Sequence, residues 1–275
     1  MRKKRFRMVV ISVTVMVLSA MIFYIAWGNT ALQLNAYTVT GENLPEAFDG
    51  FRIVQISDLH NAEMGKNHHN LISLIKEAEP NIIVITGDLI DSRRTNVEKA
   101  LDFAEQAVKI APCYYVTGNH ESRVDAYKEL QEGLIALGVT VLENERTEIE
   151  YQGEKIALLG VKDPAFQTDI SSYLKKLKNE DDGYTVLLSH RPELFDRYVA
   201  NEIDLVFSGH AHGGQFRLPL IGGLYAPNQG IFPEYDGGLY TEGNTNMIVS
   251  RGIGNSLFPF RFHNRPEVVL MEFKS

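Results

Sequence analysis

Side chains able to bind metal ions occur in five short clusters, each directly after an apolar run typical of a β-strand. In chain order the clusters are Asp58-Leu-His60, Gly87-Asp88-Leu-Ile-Asp91, Gly118-Asn119-His120-Glu121, Ser189-His190 and Gly209-His210-Ala-His212. Open α/β sheets place their ligand sites at the carboxyl ends of strands. One cluster alone could be a helix cap or a turn, but five at successive strand ends indicate one shared site.

The residue types in these clusters suit divalent transition metals. Imidazole together with carboxylate and amide oxygens binds Mn, Fe, Zn or Ni, and a chain with a single cysteine offers no thiolate cluster. Seven ligands are too many for one zinc ion. They suit two ions, roughly 3.5–4 Å apart, that share one carboxylate, and such a pair supports in-line displacement at phosphorus.

The elements that must position these clusters alternate strand and helix at first and are then mostly strands. Strands are predicted at 51–57, 81–86, 113–117, 139–142, 155–161, 185–189, 205–208, 246–250 and 268–273, with an edge strand near 32–39. Helices are predicted near 70–79, 97–110 and 126–137. This order predicts an α/β fold of two packed mixed β-sheets flanked by helices, rather than one doubly wound sheet.

The clusters resemble the ordered pattern of the calcineurin-like metallophosphoesterase superfamily, which is D-x-H, G-D-x-x-D, G-N-H-[DE], H and G-H-x-H. Every element is present in order between Asp58 and His212, and the resemblance extends over about residues 51–273. It implies the αββα sandwich of that superfamily and the hydrolysis of a phosphate ester with two metal ions.

The resemblance also implies a role for each matching residue. His120 would contact the phosphate and protonate the leaving oxygen, which suits a side chain that titrates near neutrality, and Asp91 would orient His120. Seven residues match the metal-ligand positions: Asp58, His60 and His212 for the first ion, Asn119, His190 and His210 for the second, and Asp88 as the bridge.

An uncharged run of twenty residues, 8–27, precedes these motifs. At about 1.5 Å per helical residue it spans the roughly 30 Å hydrocarbon core of a bilayer, and we interpret it as a retained transmembrane helix. A cleaved signal peptide, which would leave a secreted soluble phosphatase, has a shorter apolar run of about 7–15 residues.

The distribution of charge predicts the orientation of this helix. Five basic residues lie within 1–7, so the positive-inside rule predicts a single-pass protein with a cytoplasmic N-terminus and an extracytoplasmic catalytic domain. The resulting division is a basic tail at 1–7, a transmembrane helix at 8–27, a linker with an edge strand at 28–50, and a catalytic domain at 51–275.

Three further segments, 212–220, 250–254 and 265–267, resemble a membrane-anchored bacterial branch of the superfamily. Relatives in that branch include UDP-2,3-diacylglucosamine hydrolases and lipid phosphodiesterases, which implies a lipid substrate. The apolar stretch at 218–240 either lines a groove for an acyl chain or is an ordinary loop packed on a sheet. The fold alone does not select among phosphomonoester, phosphodiester and pyrophosphate substrates, and the sequence is silent on oligomeric state.

Other features narrow the function. The net charge of −8 includes the five basic N-terminal residues, so the remainder is strongly acidic and a nucleic-acid partner is not expected. A non-catalytic metal-binding scaffold would tolerate the loss of a ligand, yet all seven ligands and His120 are present. Six side chains are placed outside the site: Cys113 as a buried hydrophobe, His68 and His69 as solvated loop residues, His263 as structural, and Arg93 and Arg94 as one position away from a phosphate-binding arginine of some relatives.

Overall fold

Two β-sheets pack face to face, and helices cover their outer faces. The computed structural model describes residues 2–167, 169–255 and 258–274. The α-helices are α1 (Arg2–Thr30), α2 (His69–Glu77), α3 (Val97–Ala107), α4 (Tyr127–Ala136), α5 (Ile170–Leu177) and α6 (Phe195–Ala200). The strands are β1 (Gln33–Val39), β2 (Arg52–Ile56), β3 (Ile82–Thr86), β4 (Cys113–Val116), β5 (Thr140–Val141), β6 (Glu145–Tyr151), β7 (Glu154–Gly160), β8 (Thr185–Leu188), β9 (Leu205–Ser208), β10 (Arg217–Leu218), β11 (Gly222–Gly223), β12 (Tyr225–Ala226), β13 (Gly230–Ile231), β14 (Gly238–Glu242), β15 (Thr245–Val249) and β16 (Glu267–Phe273).

Each large sheet is mixed and has six strands. The first has the order β1-β16-β2-β3-β4-β5, and the second has the order β14-β15-β9-β8-β7-β6. Strands β2 to β5 run parallel to one another, as do β7, β8, β9 and β15. The predicted fold class, two mixed sheets flanked by helices, is therefore confirmed.

Alternation along β2 explains how this sheet can bury both faces. Ile53 packs into the core between the sheets, whereas Val54 and Ile56 pack into the core beneath the helices. Gln55 also points between the sheets, where its Nε2 donates to the Ser208 carbonyl oxygen of the second sheet at 2.8 Å. The inter-sheet core therefore contains both apolar packing and a hydrogen bond that joins the two sheets.

Apart from α1, the predicted strands and helices agree with the structure to within three residues at their ends, and Cys113 is buried as expected. Four longer elements were missed: β6, β14, α5 and α6. Strands β6 and β14 are the two edges of the second sheet, and β6 buries a single side chain, Ile149. A strand so exposed carries little apolar signal in its sequence.

Helix α1 is longer than the predicted span and includes residues 2–7 and 28–30. It is long and apolar enough to cross a membrane, and none of its apolar window is buried inside the protein. After it, β1 pairs in parallel with β16 along its full length, from Gln33 opposite Glu267 to Val39 opposite Phe273. The helix therefore leads into an edge strand of the first sheet within a few residues.

Candidate metal centre

The predicted ligands converge where both sheets present the carboxyl ends of parallel strands. Asp58, Asp88 and Asn119 follow β2, β3 and β4 in the first sheet, while His190 and His210 follow β8 and β9 in the second. All five side chains are buried. Because β2, β3 and β4 run parallel to one another, as do β8 and β9, their ends lie at one edge of each sheet and their terminal loops face one another.

A first group of donors contains four residues. Ligand atoms of Asp58, His60, Asp88 and His212 all lie within 4.8 Å of one another. Nε2 of His60 is 3.5 Å from Oδ2 of Asp88, and Nε2 of His212 is 3.2 Å from Oδ1 of Asp58. Two carboxylates and two imidazoles so close together are a donor set that divalent transition metals favour.

A second group shares one member with the first. Ligand atoms of Asp88, His190 and His210 also lie within 4.8 Å of one another, and Nε2 of His190 is 3.3 Å from Oδ2 of Asp88. Asn119 lines the same cleft as Asp88 and His210. Asp88 is thus the carboxylate common to both groups.

Unpaired polar atoms show that this donor set fits metal ions. Buried polar atoms in proteins nearly always have a hydrogen-bond partner. Within the described residues, the buried Oδ1 atom of Asn119 has none, and Oδ1 of Asp58 accepts no hydrogen bond although Nε2 of His212 lies nearby. Both are oxygen donors with a free lone pair, which is what a divalent cation requires.

The electrostatics of the cluster lead to the same conclusion. Burial lowers the pKa of His212 to about 3 and that of His210 well below its usual value, so both imidazoles are neutral and can act as ligands. Burial raises the pKa of Asp58 and Asp88, but neighbouring histidines outweigh it, and both carboxyls are ionised. For His190, burial lowers the pKa but Asp88 raises it to about 10, so His190 would have to release a proton in order to bind a metal ion. The two ionised carboxylates therefore favour the binding of cations at this buried site.

Most of these candidate ligands have an unusual backbone conformation. The φ angles of Asp58, His60, Asp88, His210 and His212 are 52°, 46°, 52°, 65° and 48°. Non-glycine residues rarely adopt this left-handed region, which costs on the order of 1–3 kcal/mol for each residue and is concentrated at functional sites. The turns after the strands are strained in order to point these side chains inward.

Gly209 shows how closely the two sheets approach at the site. A Cβ atom at this position would lie 1.9 Å from Oγ of Ser57 and 2.5 Å from Oδ2 of Asp58. The absence of a side chain lets the backbone N–H of His210 donate to Oδ2 of Asp58 at 3.1 Å. This close approach explains the glycine that begins the last cluster.

His120 lies beside the donor groups, with its ring edge on to His60 at a centroid distance of 4.4 Å. The backbone N–H of Ser92 donates to its Nδ1 at 3.0 Å. Because Nδ1 accepts this bond, the proton of the neutral ring is on Nε2. Burial lowers the pKa of His120 to about 4, which favours the same neutral form.

Asp91 is close to His120 but does not hydrogen-bond to it. Oδ1 of Asp91 is 3.7 Å from Nδ1 of His120, which exceeds hydrogen-bond range. The carboxylate instead accepts from the backbone N–H and from Nε and Nη2 of Arg93, at 2.8, 3.1 and 3.0 Å. The structure therefore places the Ser92 backbone, and not Asp91, within hydrogen-bond range of Nδ1 of His120.

Comparison with known proteins agrees with this geometry. The profile of the calcineurin-like phosphoesterase family matches residues 51–214, which is more than half of the chain. The chain belongs to this family. It is also 31% identical over 255 residues to the uncharacterized metallophosphoesterase YkuE of Bacillus subtilis, with 89% of this chain and 86% of YkuE covered. It is therefore a hydrolase of phosphate esters.

Two further matches are similar in sequence or in fold. The phosphodiesterase YaeI of Escherichia coli is 28% identical over 236 residues, covering 81% of this chain and 82% of YaeI. The solved structure of the sulfate thiohydrolase SoxB of Thermus thermophilus superposes with a TM-score of 0.52 at 13% identity, covering 84% of this chain and 57% of SoxB. At that identity the second match supports the fold alone.

A cleft of about 250 Å³ opens beside the donor groups of this phosphoesterase. Its lining includes Asp88, Asn119, His120 and Arg93, and also Tyr225 from the apolar stretch. Arg93 was left outside the predicted site, yet the structure places it in this cleft. Its position differs by one residue from that of the phosphate-binding arginine of some relatives, so the motif did not identify it. In the structure, the side chain turns back and pairs with Asp91.

Two further buried residues support the site and were not identified as functional from the sequence. Glu121 accepts from the backbone N–H groups of Gly118 and Asp88 at 2.8 and 3.0 Å, so it joins the loops after β4 and β3. Arg191 pairs with Asp163 at 2.6 Å, and its Nη1 lies 2.8 Å from Nε2 of His210. Each lies next to a predicted ligand or catalytic residue in the sequence, which is the signal that could have identified it.

Two expectations about other residues change. His68 is buried rather than solvated, because its ring packs edge on to Phe103 at 5.9 Å, whereas His69 is exposed as expected. In the stretch 218–240, Ala226 packs into the core of the second sheet, but Leu220 and Phe232 are exposed. That stretch is thus neither a simple packed loop nor a closed groove.

Proposed function

We propose that this phosphoesterase works with two divalent metal ions. Asp88 belongs to both donor groups, and this single observation carries the proposal. Asp58, His60 and His212 would hold one ion, and Asn119, His190 and His210 the other. When bound, such a pair supplies an activated water and offsets the charge that develops on phosphate oxygens. Mn, Fe, Zn and Ni all suit the donor set.

We assign the neutral ring of His120 to holding the phosphate. Its Nδ1 is occupied by the Ser92 N–H, so Nε2–H is the group available to donate to a phosphate or leaving-group oxygen. A neutral imidazole donates a hydrogen bond readily but gives up its proton poorly, which favours transition-state stabilisation over full proton transfer. Asp91 acts indirectly, since it fixes the turn from which Ser92 reaches His120.

The natural substrate in this proposal is an amphipathic phosphate ester in a membrane, such as UDP-2,3-diacylglucosamine. The unburied apolar helix α1 and the exposed apolar residues of 218–240 support it. The arginines Arg93 and Arg123 in the cleft suit an anionic headgroup. The five basic residues before the helix support a cytoplasmic N-terminus and an external catalytic domain.

Metal analysis of the purified full-length protein, together with phosphatase assays, tests the reaction. We expect two ions for each chain and hydrolysis of bis-para-nitrophenyl phosphate or para-nitrophenyl phosphate that is lost on chelation and restored by metal. Bound metal without hydrolysis of any ester would instead support a non-catalytic scaffold.

Removal of α1 tests the substrate class. A chain that begins at Leu32 should lose far more activity on lipid extracts in vesicles than on a small soluble ester, because only the lipid must be reached at the bilayer. Equal losses on both substrates, or no hydrolysis of any lipid phosphate, would refute the membrane substrate while leaving the reaction itself intact.

A further inference from the structure

The end of α1 does not lead into a free tether but contacts a segment near the C-terminus, residues 258–265. The ring of Tyr24 lies 5.9 Å from that of Phe262, edge to face, and its hydroxyl is 2.7 Å from Nδ1 of His263. One turn later, the guanidinium of Arg265 lies 4.9 Å from the ring centre of Trp27. These contacts hold the segment alongside the last turns of the helix.

Hydrogen bonds fix the same arrangement just beyond the apolar span. Nδ2 of Asn29 donates to the carbonyl oxygen of Arg261 at 3.1 Å, and the backbone N–H of Arg261 donates to Oδ1 of Asn29 at 2.8 Å. Arg265 donates from Nε to the carbonyl oxygen of Ala31 at 2.8 Å. This segment therefore binds both the Asn29 side chain near the end of α1 and the carbonyl group of Ala31 directly after it.

The contacts define the depth of the segment relative to a bilayer. Tyr24 and Trp27 belong to the uncharged run 8–27, so residues in contact with them lie within about one helical turn, 5.4 Å, of the membrane boundary. Phe258, Phe260 and Phe262 nevertheless keep 39%, 38% and 40% of their surface exposed. Aromatic side chains are favoured at this depth, where lipid rather than water covers them.

A neighbouring turn extends this apolar surface. The backbone N–H of Arg217 in β10 donates to the carbonyl oxygen of Phe262 at 3.0 Å, so the β10–β11 turn lies beside the phenylalanines. Leu218, Leu220 and Ile221 on that turn are exposed, and Leu220 is fully so. The surface is also tied to the metal centre, since Nδ2 of Asn264 donates to the carbonyl oxygen of His212 at 2.8 Å.

We propose that these residues form a second membrane contact, which inserts into the interfacial layer of the same bilayer that α1 crosses. It consists of Leu218, Leu220, Ile221, Phe258, Phe260 and Phe262. The bilayer is the occupant because the surface is continuous with the end of the membrane helix. Insertion would hold the catalytic domain against the membrane, with the loop that carries His212 nearest the lipid headgroups. The proposal rests on α1 being an anchor and does not depend on hydrolysis.

Depth-dependent fluorescence quenching tests it in the full-length protein. After Cys113→Ala, single cysteines are introduced by Phe260→Cys and, separately, Phe258→Cys, and each is labelled with an environment-sensitive fluorophore. The protein is reconstituted into phosphatidylcholine–phosphatidylglycerol vesicles that contain nitroxide lipids labelled near the headgroup. Val13→Cys within α1, with acyl-chain nitroxides, reports insertion of the anchor. Ile135→Cys is the control, because Ile135 is also an exposed apolar residue but lies on α4, which packs at the opposite edge of the first sheet from β1.

We expect the labels at 258 and 260 to lose at least half of their emission to headgroup nitroxides, the label at 13 to be quenched by acyl-chain nitroxides, and the label at 135 to be unaffected. If the labels at 258 and 260 are as unaffected as the label at 135 while the label at 13 is quenched, the proposed second contact is wrong, although α1 is inserted in the membrane. If none is quenched, the anchor itself is wrong. If the fluorophores at 258 and 260 are shielded from water but not quenched by nitroxide lipid, and if the shielding is lost on dilution of the protein, a second copy of the chain covers this surface in place of the bilayer.

Discussion

The candidate metal centre and the proposed second membrane contact differ in how tightly their residues are specified. In the candidate centre, five of the candidate ligands have strained left-handed backbones, and Gly209 leaves no room for a methyl group against Asp58. In the proposed membrane contact, the side chains of the phenylalanines and of the β10–β11 turn have in common their apolar character and their exposure. A catalytic centre depends on the position of single atoms, whereas a lipid layer accepts any apolar side chain at the right depth. Substitutions should therefore have large effects in the first region and small ones in the second.

The largest effect should follow from Asp88→Asn. This change keeps the shape of the side chain but removes the charge shared by both donor groups. We expect metal content and phosphoesterase activity to fall together, with activity reduced by more than about 100-fold, since even indirect contacts to a metal are worth about 10–100-fold. Elemental analysis and ester assays on the same preparation measure both. Asp125→Asn, the same change at an exposed carboxylate, should alter neither. Retention of both ions in Asp88→Asn would remove the basis for a bridged pair.

His120→Asn should have the next largest effect and should separate catalysis from metal binding. The loss of one hydrogen-bond donor to a developing oxyanion costs about 10²–10³-fold in rate. Both ions should remain bound, and because a neutral donor holds the phosphate, the deficit should be the same for esters with good and poor leaving groups. A series of aryl phosphodiesters of graded leaving-group pKa measures this.

The matched control for that series is His69→Asn, at an exposed histidine, which should match the unmodified protein. A deficit that shrinks as the leaving group improves would instead establish His120 as a general acid, the role that the family resemblance implies. Loss of metal in His120→Asn would place His120 among the ligands.

The same contrast explains what the sequence could predict. Residues such as Asp58 and His212 could be identified because metal-binding residue types occur there directly after strands, and both features are visible in the sequence. The central strands were identifiable for the same reason, since β3 is buried at every position. Edge strand β6, with one buried side chain, gave no comparable pattern.

Contacts between distant segments could not be predicted. The burial of His68 depends on Phe103, thirty-five positions away in the sequence. The hydrogen bond that determines which ring nitrogen of His120 carries the proton comes from the Ser92 backbone. Similarly, the apolar character of Phe258 and Phe260 is visible in the sequence, but their position beside α1 depends on the fold. Local patterns predicted the elements and the candidate ligands, whereas tertiary packing determined which residues contact one another.

Glu121→Gln tests whether the tight specification extends beyond the ligands. The amide group of glutamine would point a donor at backbone N–H groups that Glu121 now accepts from, including that of Asp88. We expect metal affinity to fall by about 10–100-fold, as for other residues that orient ligands, with both ions still bound at saturating metal. Metal titration measures this, and Glu129→Gln on the exposed face of α4 is the control. Unchanged metal affinity would show that only the candidate ligands, and not the residues that support them, are tightly specified.

Asn29→Ala should have the smallest effect, and it probes the junction between the two regions. Asn29 exchanges hydrogen bonds with the backbone of Arg261, whose guanidinium in turn donates to the carbonyl oxygen of Arg251 at 2.6 Å and to that of Gly254. The backbone N–H of Gly254 donates to the carbonyl oxygen of Asp58 at 2.7 Å, so a continuous set of contacts runs from the end of α1 to a candidate metal ligand.

Because a net hydrogen bond contributes about 0.5–1.5 kcal/mol, loss of these bonds should lower the free energy of unfolding by about 1–2 kcal/mol and Tm in detergent by roughly 2–8 °C. Activity on a soluble ester should change by less than about threefold, because the ligands keep their own supports. Thermal unfolding and ester assays measure the two, and Asn244→Ala at an exposed asparagine should change neither. A large loss of activity at an unchanged Tm would contradict the comparison, since it would mean that the membrane side controls the geometry of the metal centre directly.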